Sequence, residues 1–266
     1  VIITREDPPI QISRLRSRSH LTEIRAVDLR FSLEETAKFL NKIMGLNLSA
    51  EDIATLETRT EGWITGLQMA AISMQGSQDV GGFIKSFTGS HRYVLDYLIE
   101  EVLEQQREEI QTFLLQTAIL DRLNGSLCDA VCFGKAKTPS SSNGTAVTGQ
   151  ENGQEILEML DRTNLFIIPL DDERHWYRYH HLFADLLRQR IRKTQPDKFL
   201  TLLHRASMWY EANGLADEAI EYAFRSGDLD RSADLVEREV EAVWKRGEHE
   251  KLRRWLNALE VETINS

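Results

Sequence analysis

The residues able to do chemistry are few and scattered. Of seven histidines, only His180 and His181 are adjacent. Neighbouring helical side chains point about 100° apart, so these two cannot face one metal ion. Cys128 and Cys132 stand four apart on one helical segment, with no second cysteine pair and no histidine nearby, and read as reduced, buried thiols rather than zinc ligands. The chain holds no glycine-rich phosphate cradle with its Walker A lysine, no strand-borne acidic pair for magnesium, no Gly-x-Ser-x-Gly elbow and no His-Glu-x-x-His helix. No catalytic residue and no metal ligand is assigned, and the chain by itself is not expected to be an enzyme. A basic cluster remains: Arg174, Arg178, Arg188, Arg190, Arg192 and Lys193 face only Asp185 within residues 174–193, the local balance a DNA-binding surface needs. The whole chain is acidic, 32 Lys and Arg against 42 Asp and Glu for a net charge of −10, which argues against a general polyanion binder.

The elements that must position these residues are mostly helices. At 266 residues, 41% hydrophobic and 28% charged, the chain is ordinary globular material for about two domains at roughly 150 residues each. No apolar run reaches the roughly 18 residues of a membrane span. Val1 to Thr4 is no signal peptide, and the chain reads as a piece of something longer. Val1-Ile2-Ile3-Thr4 is a short β-branched run stopped by Pro8-Pro9, needing sheet partners from upstream, and Leu21 to Val27 reads as a second short strand. Ser32 to Glu35 is a capping box before Leu33, Ala37, Leu40 and Met44, with a stop at Gly45. Ser49-Ala50-Glu51-Asp52 starts another helix, and Ile64, Leu67, Ala71 and Met74 mark a further one stopping before Gly76. Past a hinge candidate at Gly81-Gly82, two more helices run through Tyr93–Val102 and Ile110–Ala118. Residues 135–153 have almost nothing to bury and read as a disordered loop.

Beyond that loop, Ile156, Leu157 and Leu160 form a short helix. Leu165–Leu170 is a strand, Asp171–Arg174 a turn, and Trp176–Tyr179 its return. Helices followed by a β-hairpin describe a winged helix, closed by a helix through Leu182, Leu186 and Ile191. From Phe199 onward every apolar position fits helices. Trp209 and Trp244 lie 35 apart and Gly214 and Gly247 lie 33 apart, a period that belongs to paired-helix repeats of tetratricopeptide type. Two such repeats are too few for an independent solenoid, so the array is expected to continue.

The most distinctive segment is Tyr177-Arg178-Tyr179-His180-His181-Leu182-Phe183-Ala184-Asp185-Leu186-Leu187-Arg188. It resembles the end of the winged-helix domain in bacterial signal-transduction ATPases of the MalT-like type, which also carry a LuxR-type DNA-binding domain at the far C-terminus. Thr4-Arg5 before Asp7-Pro8-Pro9, Asp28–Phe31, Glu61–Gln68, Phe87–Tyr93 and Asn164–Phe166 agree in order, so the resemblance covers the chain except the loop at 135–153. It implies that Arg5 is a sensor reaching the γ-phosphate, where a lone arginine at a strand end would otherwise be solvated. It implies that His180, standing for the histidine of a Met-His-Asp triplet in related immune ATPases, touches the β-phosphate of ADP. The reading beside it is a histidine capping the next helix or packed in the core. His181 takes the Asp position of that triplet, leaving the hydrogen-bonding partner open. Gly62-Trp63-Ile64 lacks the proline of the family's adenine-contacting Gly-x-Pro, which leaves Ile64 as the candidate and Trp63 as core. An imidazole bond to a phosphate oxygen contributes about 1.5–3 kcal/mol, made only while the winged helix is folded back on the nucleotide.

The fold class is therefore mainly α: a helical domain and a winged helix with a short β-hairpin, followed by tetratricopeptide-like helical repeats. The expected divisions are 1–30, the remnant of a P-loop nucleotide-binding domain; 31–89, helical; 90–194, winged helix; and 195–266, the start of a helical-repeat sensor region. The function implied is the regulatory middle of an ATP-dependent, LuxR/MalT-type cytoplasmic transcription activator, coupling nucleotide and inducer sensing to self-association and DNA binding. ATP or ADP would be the cofactor of the full-length parent, with none for this chain alone. DNA would be bound through a C-terminal domain absent here, the inducer would be an unknown small molecule or protein, and no membrane would be involved. The alternative is a helical-repeat protein-interaction scaffold without nucleotide sensing. A third reading, DNA binding by the winged helix itself, predicts steep salt dependence.

Overall fold

The computed structural model describes residues 1–4, 8, 10–75, 79–89, 91–134 and 152–265. Arg5, the stop at Gly76 and residues 135–151 of the expected loop lie outside the described residues. In chain order the helices are α1 (Ile12–Ser17), α2 (Leu33–Ala37), α3 (Ala50–Thr60), α4 (Ile64–Met74), α5 (Val80–Ser86), α6 (Arg92–Tyr97), α7 (Glu108–Thr117), α8 (Gly125–Phe133) and α9 (Gly153–Arg162). Strands β1 (Ile167–Pro169) and β2 (Tyr177–Tyr179) follow, then α10 (His181–Thr194), α11 (Pro196–Ala212), α12 (Ala216–Ser226), α13 (Leu229–Lys245) and α14 (His249–Asn265). The architecture is mainly α, with one antiparallel hairpin among the described residues that pairs Ile167 with Tyr179 and Pro169 with Tyr177. Two compact units form, residues 1–111 with 156–189 and residues 112–155 with 190–266.

In the first unit the capping signals act as the sequence predicts. Ser32 Oγ accepts the Glu35 N–H, and the Glu35 carboxylate accepts the Ser32 N–H at 2.9 Å, which starts α2. The helix continues as a π-helical turn over Lys38–Ile43 and stops before Gly45. Ser49 caps α3 by accepting the Asp52 N–H at 3.1 Å. Two expectations need correction. Leu21–Val27 is not a strand: it is irregular chain leading into a 3-10 turn at Ala26–Leu29. The Asp28 carboxylate accepts the Arg25 N–H at 2.8 Å and closes that turn, a local bond that competes with extension where no sheet edge is offered. Gly81-Gly82 is no hinge but the first turn of α5, where the Asp79 side chain accepts the Gly82 N–H at 2.8 Å.

Leu40, Leu56, Leu67, Met74, Ile84, Phe87, Leu98, Leu182 and Phe183 are fully buried in this unit, so α2 to α6 and α10 close around a shared apolar centre. Two glycines permit close approach to a backbone carbonyl. A Cβ on Gly89 would stand 1.8 Å from the Leu182 carbonyl oxygen at the start of α10. Gly62 has φ +69, and a Cβ there would stand 2.4 Å from the Phe31 carbonyl oxygen. The Phe31 N–H bonds the Gly62 carbonyl at 2.8 Å, joining the α3–α4 turn to the entry of α2.

In the second unit α11 and α13 start 33 residues apart, at 196 and 229, and α12 and α14 start 33 apart, at 216 and 249. Gly214 and Gly247, also 33 apart, stop α11 and α13 at φ +73 and +75. Buried positions repeat at the same interval: Leu202 with Leu235, Leu203 with Val236, Tyr210 with Val243, Tyr222 with Trp255. The glycine spacing is therefore the true period. The tryptophan spacing is not, since Trp209 is 7% exposed and Trp244 is 62% exposed. A one-turn loop is tied to this repeat: the Tyr222 hydroxyl accepts the Asp121 N–H at 2.9 Å, and Arg225 donates to the Asp121 carboxylate and the Ile119 carbonyl, both at 2.9 Å.

Candidate functional site

The distinctive segment ends at the corner where β2 gives way to α10, and that corner is held by the turn between α3 and α4. His180 is 4% exposed, and its Nε2 lies 2.9 Å from the Thr60 carbonyl oxygen. The same oxygen accepts the Trp63 N–H at 2.8 Å. A carbonyl can only accept, so Nε2 carries the proton of the neutral ring. Trp63 and Phe166 lie edge-on to the imidazole, at ring-centre distances of 6.0 and 5.7 Å. Nδ1 is buried without a hydrogen-bond partner. Burial depresses the basicity of His180, opposed by the nearby Glu61 carboxylate and the Thr60 bond and assisted by Arg30 and His181.

Glu61 is the centre of the charge arrangement. Its side chain is 8% exposed and forms a two-pronged pair with Arg178, each N···O distance 2.9 Å. It accepts the His181 backbone N–H at 3.0 Å, and so caps the N-terminus of α10. Arg30 approaches its other oxygen at 3.6 Å and His181 Nδ1 lies 3.3 Å from the first. Burial would raise its pKa, but the Arg178 hydrogen bonds, the neighbouring His180 ring and the His181 N–H outweigh it and hold the carboxyl down at about 2. Glu61 sits in the left-handed region at φ 49, an uncommon conformation for a residue with a side chain. The dipeptide Thr60-Glu61 thus clamps the dipeptide His180-His181: one carbonyl fixes the first ring, one carboxylate fixes the next backbone N–H.

Of the sequence-derived site residues, His180 and the Gly62-Trp63-Ile64 segment come together through Trp63, with Ile64 the first residue of α4. Arg5 is outside the described residues. The carboxylate beside the Tyr179-His180-His181 triplet is that of Glu61, which accepts the His181 backbone N–H. Sequence reasoning passed over Glu61 and Thr60, and their one signal was a Glu-Gly pair at a helix end within a segment already singled out. Three of the six residues of the basic cluster are engaged: Arg178 by Glu61, Arg174 by Asp161 at 3.1 Å, and Arg192 over the Phe199 ring at 4.7 Å. Cys128 is buried and burial pushes the Cys132 thiol up to about 12, so neither is a reactive thiolate. Among the described residues no His, Cys, Asp and Glu group is arranged to hold a metal ion, and no helix is long and apolar enough to cross a membrane.

Comparison with known proteins places this corner in a recognised domain. The family model for the MalT winged helix domain matches residues 99–138 and 140–199. The serine/threonine-protein kinase PknK of Mycobacterium tuberculosis is 32% identical over 230 residues, covering 86% of this chain and 19% of the kinase. The HTH-type transcriptional regulator MalT of Yersinia enterocolitica is 30% identical over 256 residues, covering 95% of this chain and 26% of the regulator. MalT of Yersinia pestis is 30% identical over 263 residues, with 97% and 27% covered. The chain spans 19% to 27% of the length of these curated relatives. The matched domain contains the hairpin, α10 and the His180 corner, and the similarity runs on both sides of it: the chain is a MalT-like segment carrying a MalT winged helix domain.

Proposed function

We propose that this chain is the regulatory middle segment of an ATP-dependent transcription activator of MalT type, coupling nucleotide state and inducer sensing to self-association and DNA binding. The observation that carries the reading is the clamp of Thr60-Glu61 on His180-His181, which sets a buried, partly unsatisfied histidine beside the segment that holds Ile64. The Nδ1 of His180, buried against Trp63 and Phe166, is a polar atom of this corner left without a hydrogen-bond partner, and it supports a ligand contact there. A bound nucleotide would supply phosphate oxygens as hydrogen-bond acceptors. His180 and Ile64, with Arg5 from the upstream side, are the residues proposed to contact it. His180 makes its contact only while the hairpin corner lies against the nucleotide-binding side, so it stabilises the closed arrangement over the open one.

The kinds of protein found among the relatives support a transducing role. One relative is a kinase and the others are transcriptional regulators, so the shared segment stands beside different outputs. In this reading residues 1–30 belong to a P-loop domain, 31–89 to a helical domain, 90–194 to the winged helix, and 195–266 open a tetratricopeptide-like sensor region. DNA is then read by a domain outside this chain. The test is a calorimetric titration of ADP into the longer protein that includes the upstream nucleotide-binding domain. Micromolar or tighter binding, weakened in Ile64→Ala and His180→Ala, is the expected result. No detectable binding to a folded, nucleotide-free protein would favour the interaction-scaffold reading instead.

A further inference from the structure

We infer that the corner between β2 and α10 is a proton-sensitive latch: a proton taken up at Nδ1 of His180 loosens the hold of the α3–α4 turn on the hairpin. The inference stands on the geometry of the corner, needs no ligand, and is independent of the nucleotide reading. The latch is made of few bonds. The Nε2–H of His180 donates to the Thr60 carbonyl at 2.9 Å, Glu61 accepts from Arg178 and from the His181 N–H, and the His180 N–H donates to the Phe166 carbonyl at 2.8 Å. The backbone around the ring is strained as well. Among the described residues six other than glycine have positive φ, and three of them lie in the two segments that enclose the ring: Glu61 at 49, Asn164 at 52 and Phe166 at 52. Such conformations cost free energy and persist only while surrounding contacts hold them, so the corner is closed against its own strain.

A proton on Nδ1 finds no free acceptor in the closed corner. The residue is 4% exposed, Nδ1 is buried without a partner, and Trp63 and Phe166 beside the ring offer no oxygen. From the α3–α4 turn the Glu61 carboxylate favours the charged ring. Its oxygens already take both prongs of Arg178 on β2 and the His181 N–H of α10, with His181 Nδ1 at 3.3 Å and Arg30, from the chain before α2, at 3.6 Å. Burial opposes the charged ring most, and Arg30 and His181 oppose it too. The proton comes from solvent and leaves the Thr60 bond in place; its cost is a buried imidazolium, which is relieved when the corner opens to water. The pKa of the ring is thus below the ordinary 6.5 in the closed corner and returns to it in the open one. The closed form is therefore fully favoured above pH 6.5 and loses ground as pH falls toward the closed-state pKa, by up to about tenfold per pH unit for one proton. Glu61, held at about 2, keeps its charge through this range.

The experiment is hydrogen–deuterium exchange of this chain from about pH 7.5 down to about pH 5.5, expressed as protection factors so that the intrinsic pH dependence of exchange is removed. The His180 and His181 amides, which bond Phe166 and Glu61, should lose protection by up to about tenfold per pH unit, while amides of α12 and α13 keep theirs. In His180→Gln the side-chain amide takes the place of Nε2 on the Thr60 carbonyl and does not titrate, so the loss should vanish. In His181→Gln it should persist. Unchanged protection in wild type, or an equal loss in His180→Gln, overturns the inference, and so does a loss that disappears in His181→Gln. Nitrogen-15 NMR of the wild-type His180 ring decides the matter if His180→Gln does not fold. The ring should remain neutral, with its proton on Nε2, down to below about pH 6, and a ring that is half charged at about pH 6.5 or above overturns the inference.

Discussion

Glu61 does three jobs with one carboxylate: it pairs with Arg178, caps α10 through the His181 N–H, and sits beside the ring of His180. Replacing it by glutamine removes the charge at nearly constant shape. The expected loss is about 2–3 kcal/mol, between the small value of an exposed pair and the larger one of a fully buried pair. Its folded pKa, about 2, lies below the ordinary 4.5, so its contribution is present in full above pH 4.5 and is lost as pH falls toward 2. The stability gap between wild type and Glu61→Gln, measured by urea unfolding, should therefore be constant above that window and narrow inside it. A gap unchanged down to about pH 3 would show that the charge is not its source. At this scale the segment around His180 stood out in the sequence, because it is a run of aromatic and basic residues with a counterpart in the resembling family. Its partners were not. Thr60 and Glu61 lie 117 to 120 residues away from Arg178, His180 and His181, and nothing in local spacing carries a contact of that span.

At the scale of elements, the helices were legible wherever capping and the 3.6-residue apolar period agreed, as at Ser32, at Ser49 and through α4. Strands were legible only at the hairpin, where two runs stood close enough to pair across the Asp171 turn, whose carboxylate accepts the His175 and Trp176 N–H groups at 2.8 and 2.9 Å. Leu21–Val27 misled because β-branched composition says nothing about whether an edge is available. The repeats show the same lesson: composition gave a tryptophan interval of 35, while backbone geometry obeys the glycine interval of 33. Trp209 faces the core and Trp244 faces solvent beside the His249 ring, so their replacements should differ sharply. Trp209→Ala is expected to cost about 3–5 kcal/mol and Trp244→Ala less than about 0.5, read from thermal unfolding followed by circular dichroism. Equal losses would mean that the tryptophans are true equivalents and the 33-residue register is wrong.

Over the whole molecule, charge decides between transmitting a signal and contacting DNA directly. The chain carries a net −10, and of the six cations in the basic stretch 174–193 three arginines are engaged with groups of the chain itself. Arg178 is tied to a buried carboxylate, Arg174 to Asp161, and the Arg192 guanidinium lies over Phe199. Arginines paired with a carboxylate, as Arg174 and Arg178 are, release few counterions on meeting a phosphate backbone, and counterion release is the main source of sequence-independent affinity for duplex DNA. The wing, the β1–β2 hairpin, carries Arg178 and leads into His180, and both are set against the helical turn at Thr60-Glu61. Fluorescence anisotropy with a labelled duplex should accordingly show no saturable binding by this chain at about 150 mM salt, and only weak binding at tenfold lower salt. Tight binding with a steep logarithmic salt slope, lost when Arg188 and Arg190 are changed to alanine, would instead assign DNA recognition to the winged helix itself.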